Sequence, residues 1–306
     1  MMEKWMVFIN PISGNNSGEQ AWKKMKPLLD QMKISYEAHY TEKAFHAISL
    51  AKDARDKGYN RFVSIGGDGT INEIINGVFL SDHQNDIPKF ALIGIGTGND
   101  TIKTFGIPSK PEKAVELFSK GKFKTIDLGK VYFQNEKGER ASRLFVNIAG
   151  MAFDAAVTDN ANNAKQSMGK LAYLKGVFKT LSSYTPGKVK VRIDDREPIE
   201  DIMFSLNVSN CKYSGGGMLI APHAVPDDGK FAITLIKNVG KWRIGANIYR
   251  LFNGTLEKVN GIELHSGKKV KVEASPETMV EVEGELLGAA PFEFEIMPSS
   301  IELLVP

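Results

Sequence analysis

A glycine-rich loop with one carboxylate is the part of this sequence best suited to chemistry. Residues 66–70, Gly-Gly-Asp-Gly-Thr, follow an apolar run at 61–65 that is typical of a buried parallel strand, and a helical pattern begins at 71. Glycines in a strand-to-helix turn let the backbone approach a phosphate group and direct N–H groups at it. Because a carboxylate alone would repel phosphate, we predict that Asp68 anchors Mg²⁺, or water around Mg²⁺. The alternative is a tight turn in which Asp68 caps its own helix.

Two more polar loops follow strands in the same half of the sequence. Residues 10–18 (Asn-Pro-Ile-Ser-Gly-Asn-Asn-Ser-Gly) follow the first strand, and residues 94–100 (Gly-Ile-Gly-Thr-Gly-Asn-Asp) follow a later one. Ligands of open α/β sheets bind at the carboxyl ends of the strands, so we expect the three loops to meet at one ligand. None of them matches the Walker A loop or the Gly-x-Gly-x-x-Gly fingerprint. Two of them have a purely structural alternative, with Ser17 as a helix N-cap, or with Asn99 or Asp100 in a left-handed turn.

Alternating strands and helices must position these loops. From residue 4 to residue 127 the alternation is typical of a parallel, doubly wound sheet, that is, of a Rossmann-like α/β domain over 1–127. The predicted strands are 4–9, 61–65 and 90–95, and the predicted helices are 18–33, 44–57, 70–79 and 111–120.

The pattern changes beyond residue 127. Many segments there alternate polar and apolar residues, which is typical of antiparallel sheet. We predict a mainly antiparallel β-sandwich domain over 128–297 with helices near 165–183 and 241–252, and the tail at about 298–306 is a candidate to return to the first domain. The predicted strands are 128–135, 143–148, 188–194, 201–209, 230–237, 268–274, 278–283, 292–297 and 300–305.

The composition is that of an ordinary globular protein. Of the 306 residues 42% are hydrophobic and 25% are charged, and the net charge of +3 is too small to indicate a nucleic-acid partner. The single cysteine, Cys211, excludes an intrachain disulfide and fits a reducing, cytoplasmic compartment. The apolar run at the N-terminus is too short for a signal peptide, and no stretch approaches the roughly 20 apolar residues that span a bilayer. We therefore expect a soluble protein that can still visit a membrane surface.

Three motifs, in their order and spacing, resemble the catalytic domain of diacylglycerol kinases. They are Asn-Pro-x-Ser-Gly at 10–14, Gly-Gly-Asp-Gly-Thr-x-Asn-Glu at 66–73 and Gly-Thr-Gly-Asn-Asp at 96–100. That family includes bacterial diacylglycerol kinases and related lipid kinases, together with sphingosine and ceramide kinases. The similarity continues through 126–129, 145–154, 214–218, 221–229 and 283–285.

The resemblance implies an ATP:lipid phosphotransferase with two domains and an active site in the cleft between them. By their match to the family, Asp68 and Asp127 are expected to act with Mg²⁺–ATP. Asp228, with the backbone carbonyl groups of Val225 and Lys230, is expected to hold a bound Mg²⁺, and a plain turn is the alternative there. The residues expected to bind the nucleotide are Asn10, Pro11, Ser13, Gly14, Thr41, Gly66, Gly67, Asp68, Gly69, Thr70, Asn72, Glu73, Thr97, Asn99 and Glu285.

The catalytic base is predicted at a position where the sequence departs from the family. The family uses the aspartate of Asp-Gly-Glu to accept the hydroxyl proton, whereas residues 283–285 of this chain are Glu-Gly-Glu. Glutamate can accept a proton, but a misplacement of about 1 Å can cost on the order of 100-fold in rate. We predict that Glu283 is the base, with a solvated strand position as the alternative. A second departure is Thr-Ile-Lys at 101–103, where the family commonly has Phe-Ala-Arg and where Lys103 lacks the bidentate geometry of arginine.

A basic segment is a candidate for docking on a membrane. Between Asn160 and Ile193 the sequence has no acidic residue, and apolar residues recur at helical spacing from Met168 to Leu181. Such a helix can dock on an anionic leaflet, at about 1 kcal/mol per cation near the surface, although an amphipathic face more often packs into a core. The cations are Lys165, Lys170, Lys175, Lys179, Lys188, Lys190 and Arg192.

We therefore expect a cytoplasmic lipid kinase that visits the membrane, uses ATP and Mg²⁺, and favours diacylglycerol as acceptor. A second hypothesis is a soluble-metabolite kinase, because NAD kinases share Gly-Gly-Asp-Gly-Thr. The lack of Thr-Pro-Thr-Gly-Ser and the presence of Ser-Gly-Gly-Gly-Met at 214–218 argue against it. A third hypothesis is a nucleotide- or lipid-binding regulator that has lost turnover. The acceptor lipid and the oligomeric state, a homodimer included, stay open.

Overall fold

The computed structural model describes residues 4–83, 86–96, 98–163, 170–247 and 249–306. The chain divides into two compact units. Unit 1 comprises Met1–Asp127 and Ser299–Pro306, and unit 2 comprises Leu128–Pro298.

Unit 1 is an α/β domain built on a parallel sheet. Its strands lie in the order β2-β1-β3-β4-β16, and the last of them pairs with β4 through Glu302 and Leu303. Its elements are β1 (Trp5–Ile9), α1 (Ser13–Asn16), α2 (Gly18–Gln31), β2 (Tyr36–Tyr40), α3 (His46–Asp56), β3 (Arg61–Gly66), α4 (Asp68–Phe79), β4 (Lys89–Gly94), α5 (Asp100–Thr104), α6 (Pro111–Val115), α7 (Leu117–Lys120), the start of β5 (Lys122–Gln134) and the end of β16 (Glu285–Val305).

The sheet of unit 1 is buried on both faces, as a parallel sheet requires. All five residues of β1 are buried, and α2 covers one face of the sheet with Trp22, Met25 and Leu29. This packing brings the carboxyl ends of β1, β3 and β4 to the same edge, where the three polar loops begin.

Unit 2 is mainly antiparallel sheet around a core of aliphatic and phenylalanine side chains. Its elements are the rest of β5, β6 (Arg140–Phe145), β7 (Ile148–Ala152), α8 (Phe153–Asn163), α9 (Lys170–Ser183), β8 (Gly187–Ile193), β9 (Ile199–Ser209), β10 (Tyr213–Ser214), β11 (Met218–Leu219), β12 (Phe231–Lys237), α10 (Lys241–Asn247), α11 (Arg250–Asn253), a 3-10 turn (Leu256–Lys258), β13 (Ile262–Gly267), β14 (Lys269–Ala274), β15 (Met279–Val282) and most of β16.

The predicted fold class is confirmed: a doubly wound α/β domain is joined to a β-sandwich-like domain. Several local expectations were incomplete, and α5, β10, β11 and β13 had no predicted counterpart. Strand β2 was not predicted, because Tyr-Glu-Ala-His-Tyr at 36–40 lacks an apolar run. Helix α8 was not predicted either, and its residues follow β7 without a break. The single long strand β16 was predicted as separate strands with a break at 298–299, where Ser299 has a left-handed φ of 52°.

No helix among the residues described is long and apolar enough to cross a bilayer. The docking segment predicted between 160 and 193 includes Lys165, which lies outside the described residues, and that docking role stays a prediction.

Candidate active site

The three polar loops of unit 1 meet backbone to backbone. A Cβ atom on Gly14 would lie 1.9 Å from the carbonyl oxygen of Ile95, and a Cβ on Gly96 would lie 2.7 Å from the Cα of Gly67. Contacts this short leave room only for glycine. The loops therefore converge at one edge of the sheet, as their positions after parallel strands predicted.

The loop after β1 is also tied to the start of α4. The side-chain amide of Asn10 donates a hydrogen bond of 3.0 Å to the hydroxyl of Thr70. Ser13 lies beside this turn, since its hydroxyl would be 3.6 Å from a Cβ on Gly67. The helix α4 begins at Asp68, so its first N–H groups point out of the loop as they do at anion-binding helix termini.

Asp68 joins the second loop to the third. Its two carboxylate oxygens accept backbone hydrogen bonds from Asp100 at 3.0 Å and from Thr101 at 3.1 Å. It therefore caps α5, whereas the structural alternative in the sequence had it capping its own helix. Enclosure of the carboxyl group raises the pKa of Asp68 above its ordinary value.

The third loop has the left-handed residue that its sequence suggested. Asn99 has a φ of 52°, and its side-chain amide donates to the carbonyl oxygen of Gly94 at 3.2 Å. Lys103 donates to the carbonyl oxygen of Gly98 and to Asp100, both at 2.8 Å. Lys103 thus braces the loop at the position where the family commonly has arginine. Thr97 lies outside the described residues.

Other residues predicted for nucleotide binding make structural contacts. Thr41 is buried, and its N–H donates to the carbonyl oxygen of Ile9 at 2.9 Å. Asn72 is buried and accepts a hydrogen bond from the amide of Asn76. Glu73 accepts the N–H of Ala47 at 3.2 Å, at the first turn of α3.

Asp127 has a clear structural contact at the end of unit 1. It is buried, and its carboxylate accepts the backbone N–H of Ser299 at 2.8 Å. It thereby tethers the point where the chain returns from unit 2. The role with Mg²⁺–ATP expected for Asp127 stays a prediction.

In unit 2, Glu283 occupies a strained position in a tight hairpin. Glu283 and Gly284 have φ values of 53° and 85°, which is the left-handed pair of a two-residue turn between β15 and β16. A glutamate is uncommon there, because a left-handed φ is unfavourable for a residue with a Cβ. Its carboxylate accepts the backbone N–H groups of Val146 at 3.1 Å and Asn147 at 2.7 Å.

A buried carboxyl group supports this hairpin. Glu281 is 7% exposed and accepts the N–H of Gly284 at 2.9 Å. Burial raises the pKa of Glu281 to about 8, helped by the nearby charge of Asp154. Glu281 and Asp154 lie close to Gly150, which has no side chain to displace them. A Cβ at Gly150 would lie 2.6 Å from Glu281 Oε1 and 2.8 Å from Asp154 Cβ.

Asp154 forms the polar end of an apolar pocket. It accepts hydrogen bonds from the hydroxyl of Ser205 and from the amide of Asn207, the latter at 3.0 Å. Burial raises the pKa of Asp154 as well. The cavity inside this pocket is about 90 Å³, and its apolar lining includes Phe153, Val157, Leu181, Phe204, Ile236 and Leu251.

Sequence reasoning missed Asp154 and Glu281. Two signals were available: Asp154 follows the apolar run 148–153, and Glu281 alternates with Val280 and Val282. The alternation alone does not say which face is buried, and Glu281 faces the interior.

The remaining predicted site residues have ordinary contacts. Glu285 forms an ion pair of 2.8 Å with Arg143. Asp228 is exposed and accepts the N–H of Lys230 at 2.9 Å, while its own N–H donates to the carbonyl oxygen of Val225 at 3.4 Å. This is the tight turn weighed as the alternative to a metal site. Within the described ranges no three His, Cys, Asp or Glu residues cluster closely enough to hold a metal.

Comparison with known families covers nearly the whole chain. A profile described as the diacylglycerol kinase catalytic domain matches residues 4–131. A profile described as the YegS C-terminal NAD kinase beta sandwich-like domain matches residues 147–305.

Individual relatives of this chain include proteins named diacylglycerol kinase. A protein named diacylglycerol kinase from Bacillus subtilis strain 168 is 29% identical over 311 residues, which cover 100% of this chain and 97% of the relative. The crystal structure of a diacylglycerol kinase from Bacillus anthracis str. Sterne has a TM-score of 0.73 at 22% identity, covering 99% of this chain and 97% of that one. Yeast NADH kinase complexed with NADH has a TM-score of 0.58 at 11% identity, covering 100% of this chain and 84% of that one. The two structures are similar to this chain in fold.

Proposed function

This chain belongs to the diacylglycerol kinase catalytic-domain family, a family of lipid kinases that use ATP, and from that premise we propose that it transfers the γ-phosphoryl group of ATP to a lipid hydroxyl. The favoured acceptor is diacylglycerol, which would become phosphatidic acid.

The pocket of unit 2 is the observation that carries the lipid acceptor. An apolar lining with a few polar groups at one end is what a lipid with a hydroxyl-bearing head requires. Asp154, Ser205 and Asn207 supply those polar groups. Burial raises the pKa of Asp154, so its carboxyl group is easier to protonate than an exposed one.

Glu283 is the proposed base of the transfer. At the polar end of the pocket, Gly150 lies between Asp154 and Glu281. Glu281 is two residues before Glu283 in the sequence. Strained backbone held by surrounding hydrogen bonds is a feature of functional residues. In the proposed step the Glu283 carboxylate takes the proton of the lipid hydroxyl, the hydroxyl oxygen bonds to the γ-phosphorus, and ADP leaves.

The converged loops of unit 1 are the proposed nucleotide site. Their glycines let the backbone approach phosphate groups, and the start of α4 supplies N–H donors. Mg²⁺ would accompany the nucleotide and screen the charge of its phosphates. Both Asp68 oxygens already accept N–H groups, so Asp68 fits an ion better through water than directly.

A proposed Mg²⁺ site at Asp228 fits less well. Its carboxylate and the carbonyl oxygens of Val225 and Lys230 are oxygen donors of the right kind, but the turn is exposed and held by its own hydrogen bonds. No step of the reaction is assigned to it.

Transfer from radiolabelled ATP into a panel of diacylglycerol, phosphatidylglycerol, ceramide and sphingosine, with NAD⁺ offered separately, tests the proposal. We expect label in diacylglycerol, and its loss in the Glu283→Gln variant, whose side chain has the same shape but cannot take the proton. Label in another lipid instead of diacylglycerol would identify that lipid as the acceptor. Label in NAD⁺ would favour the soluble-metabolite kinase, and nucleotide or lipid binding without any transfer would favour a regulator.

A further inference from the structure

The segment that closes one side of the lipid pocket also presents aromatic side chains to solvent. Tyr249 and Phe252 are 53% and 52% exposed, one helical turn apart, and the N–H of Phe252 donates to the carbonyl oxygen of Tyr249. Between them in sequence, Leu251 lines the pocket. One short element therefore faces the pocket on one side and water on the other.

Positive charge predominates around these two rings, with the exposed Glu257 beside Lys258 as the nearest acidic residue in sequence. From residue 229 to residue 256 the sequence contains no Asp or Glu. Arg243 and Lys258 are exposed on either side of α11. Arg250 lies over the Tyr249 ring, with its guanidinium carbon 5.2 Å from the ring centroid, and donates to Asn247 at 2.8 Å.

Exposed aromatic residues beside cations suit the boundary between lipid headgroups and acyl chains. Aromatic rings partition into that boundary, and each Lys or Arg near an anionic leaflet contributes about 1 kcal/mol. A nucleic acid would also attract the cations, but it would have no use for an apolar pocket beneath the rings.

We propose that Tyr249 and Phe252, with Arg243, Arg250 and Lys258, form a membrane-docking rim at which lipid passes from an anionic bilayer into the pocket. The proposal deepens the proposed function and depends on it for the identity of the pocket. The rim lies in α10, in α11 with its N-cap Tyr249, and in the 3-10 turn, outside the docking segment predicted between 160 and 193.

Vesicle sedimentation tests the rim without requiring turnover. The wild type is compared with Tyr249→Ser/Phe252→Ser on phosphatidylcholine vesicles with and without phosphatidylglycerol. We expect the double variant to bind at least about tenfold more weakly, because two half-buried aromatic contacts are lost. We expect Arg243→Glu/Lys258→Glu to lose about tenfold or more on the anionic vesicles only.

Matched controls lie elsewhere on unit 2. Ile202 is 47% exposed on β9, and Lys137 is exposed in the turn between β5 and β6. Ile202→Ser and Lys137→Glu should bind vesicles like the wild type. Thermal unfolding and nucleotide binding check that each variant is folded.

Two results would contradict the proposed membrane-docking rim. One is wild-type vesicle binding by the Tyr249/Phe252 variant. The other is a wild-type dimer, seen by sedimentation velocity, that this variant converts to monomer, which would make the surface a contact between two copies. Transfer measured on lipid in detergent micelles separates the two proposals, because it reports on the kinase activity when docking fails.

Discussion

The carboxyl group of Glu281 accepts a hydrogen bond from the backbone N–H of Gly284 at 2.9 Å, inside the hairpin that presents Glu283. A buried acid thus supports the turn of the proposed base from within unit 2. Its protonation state should therefore affect both the stability of the hairpin and the position of Glu283.

The first prediction concerns the pH dependence of stability. The pKa of Glu281 rises from its ordinary value of 4.5 to about 8 in the folded protein. Between these values the folded state binds more protons than the unfolded state. The contribution of Glu281 is therefore fully present below about pH 4.5 and is lost as the pH rises to about 8, by at most about 1.4 kcal/mol per pH unit.

The Glu281→Gln variant isolates this contribution. Its amide oxygen can still accept the Gly284 N–H, but the side chain does not titrate. Urea unfolding across pH 5–8 should show the wild type losing free energy of unfolding relative to the variant. Parallel curves would contradict the prediction, and the exposed Glu136→Gln variant supplies the baseline.

The second prediction concerns Glu283 as base. Glu283→Gln should lower kcat by about 10²- to 10⁴-fold, the usual worth of general base catalysis. The amide oxygen can keep the hydrogen bonds from Val146 and Asn147, so lipid binding should be little changed. Steady-state kinetics in micelles decides the matter, and a kcat near that of the wild type would remove Glu283 from the mechanism.

The third prediction concerns the loops of unit 1. Gly14→Ala should lower the free energy of unfolding by about 2 kcal/mol or more, because its left-handed φ and the Ile95 carbonyl both exclude a Cβ. Gly69 has no atom within 4 Å of its Cβ position. Gly69→Ala should therefore fold normally and report only on phosphate approach, through a weaker affinity for ATP. Equal stability of the two variants in thermal unfolding would contradict the account of the loops.

The fourth prediction concerns the pocket. Val157 is 6% exposed and lines it, so Val157→Phe should shorten the space for acyl chains. We expect KM to rise for long-chain diacylglycerol and to change less for a short-chain form. The exposed Ile202→Phe is the control, and an equal rise in KM for both chain lengths would argue against acyl chains in this pocket.

The sequence was informative wherever local pattern determined structure. The glycine loops could be placed because each follows an apolar strand, and their convergence follows from parallel strand order. Glu281 could not be placed, because an alternating Val-Glu-Val-Glu strand looks the same whether its glutamates face water or a partner across a glycine. Asp68 shows the same difficulty: the residue that it caps lies 32 positions away, beyond any local capping rule.

The return of Ser299–Pro306 to unit 1 has a consequence for how the protein is made. The segment completes the parallel sheet beside β4 and is tethered at Asp127. During synthesis the ribosome releases this segment after all of unit 2. Until then the β4 edge of the sheet in unit 1 stays unpaired. The proposed nucleotide unit, first in sequence, is therefore finished last, and its completion is linked to successful synthesis of the unit proposed to bind lipid.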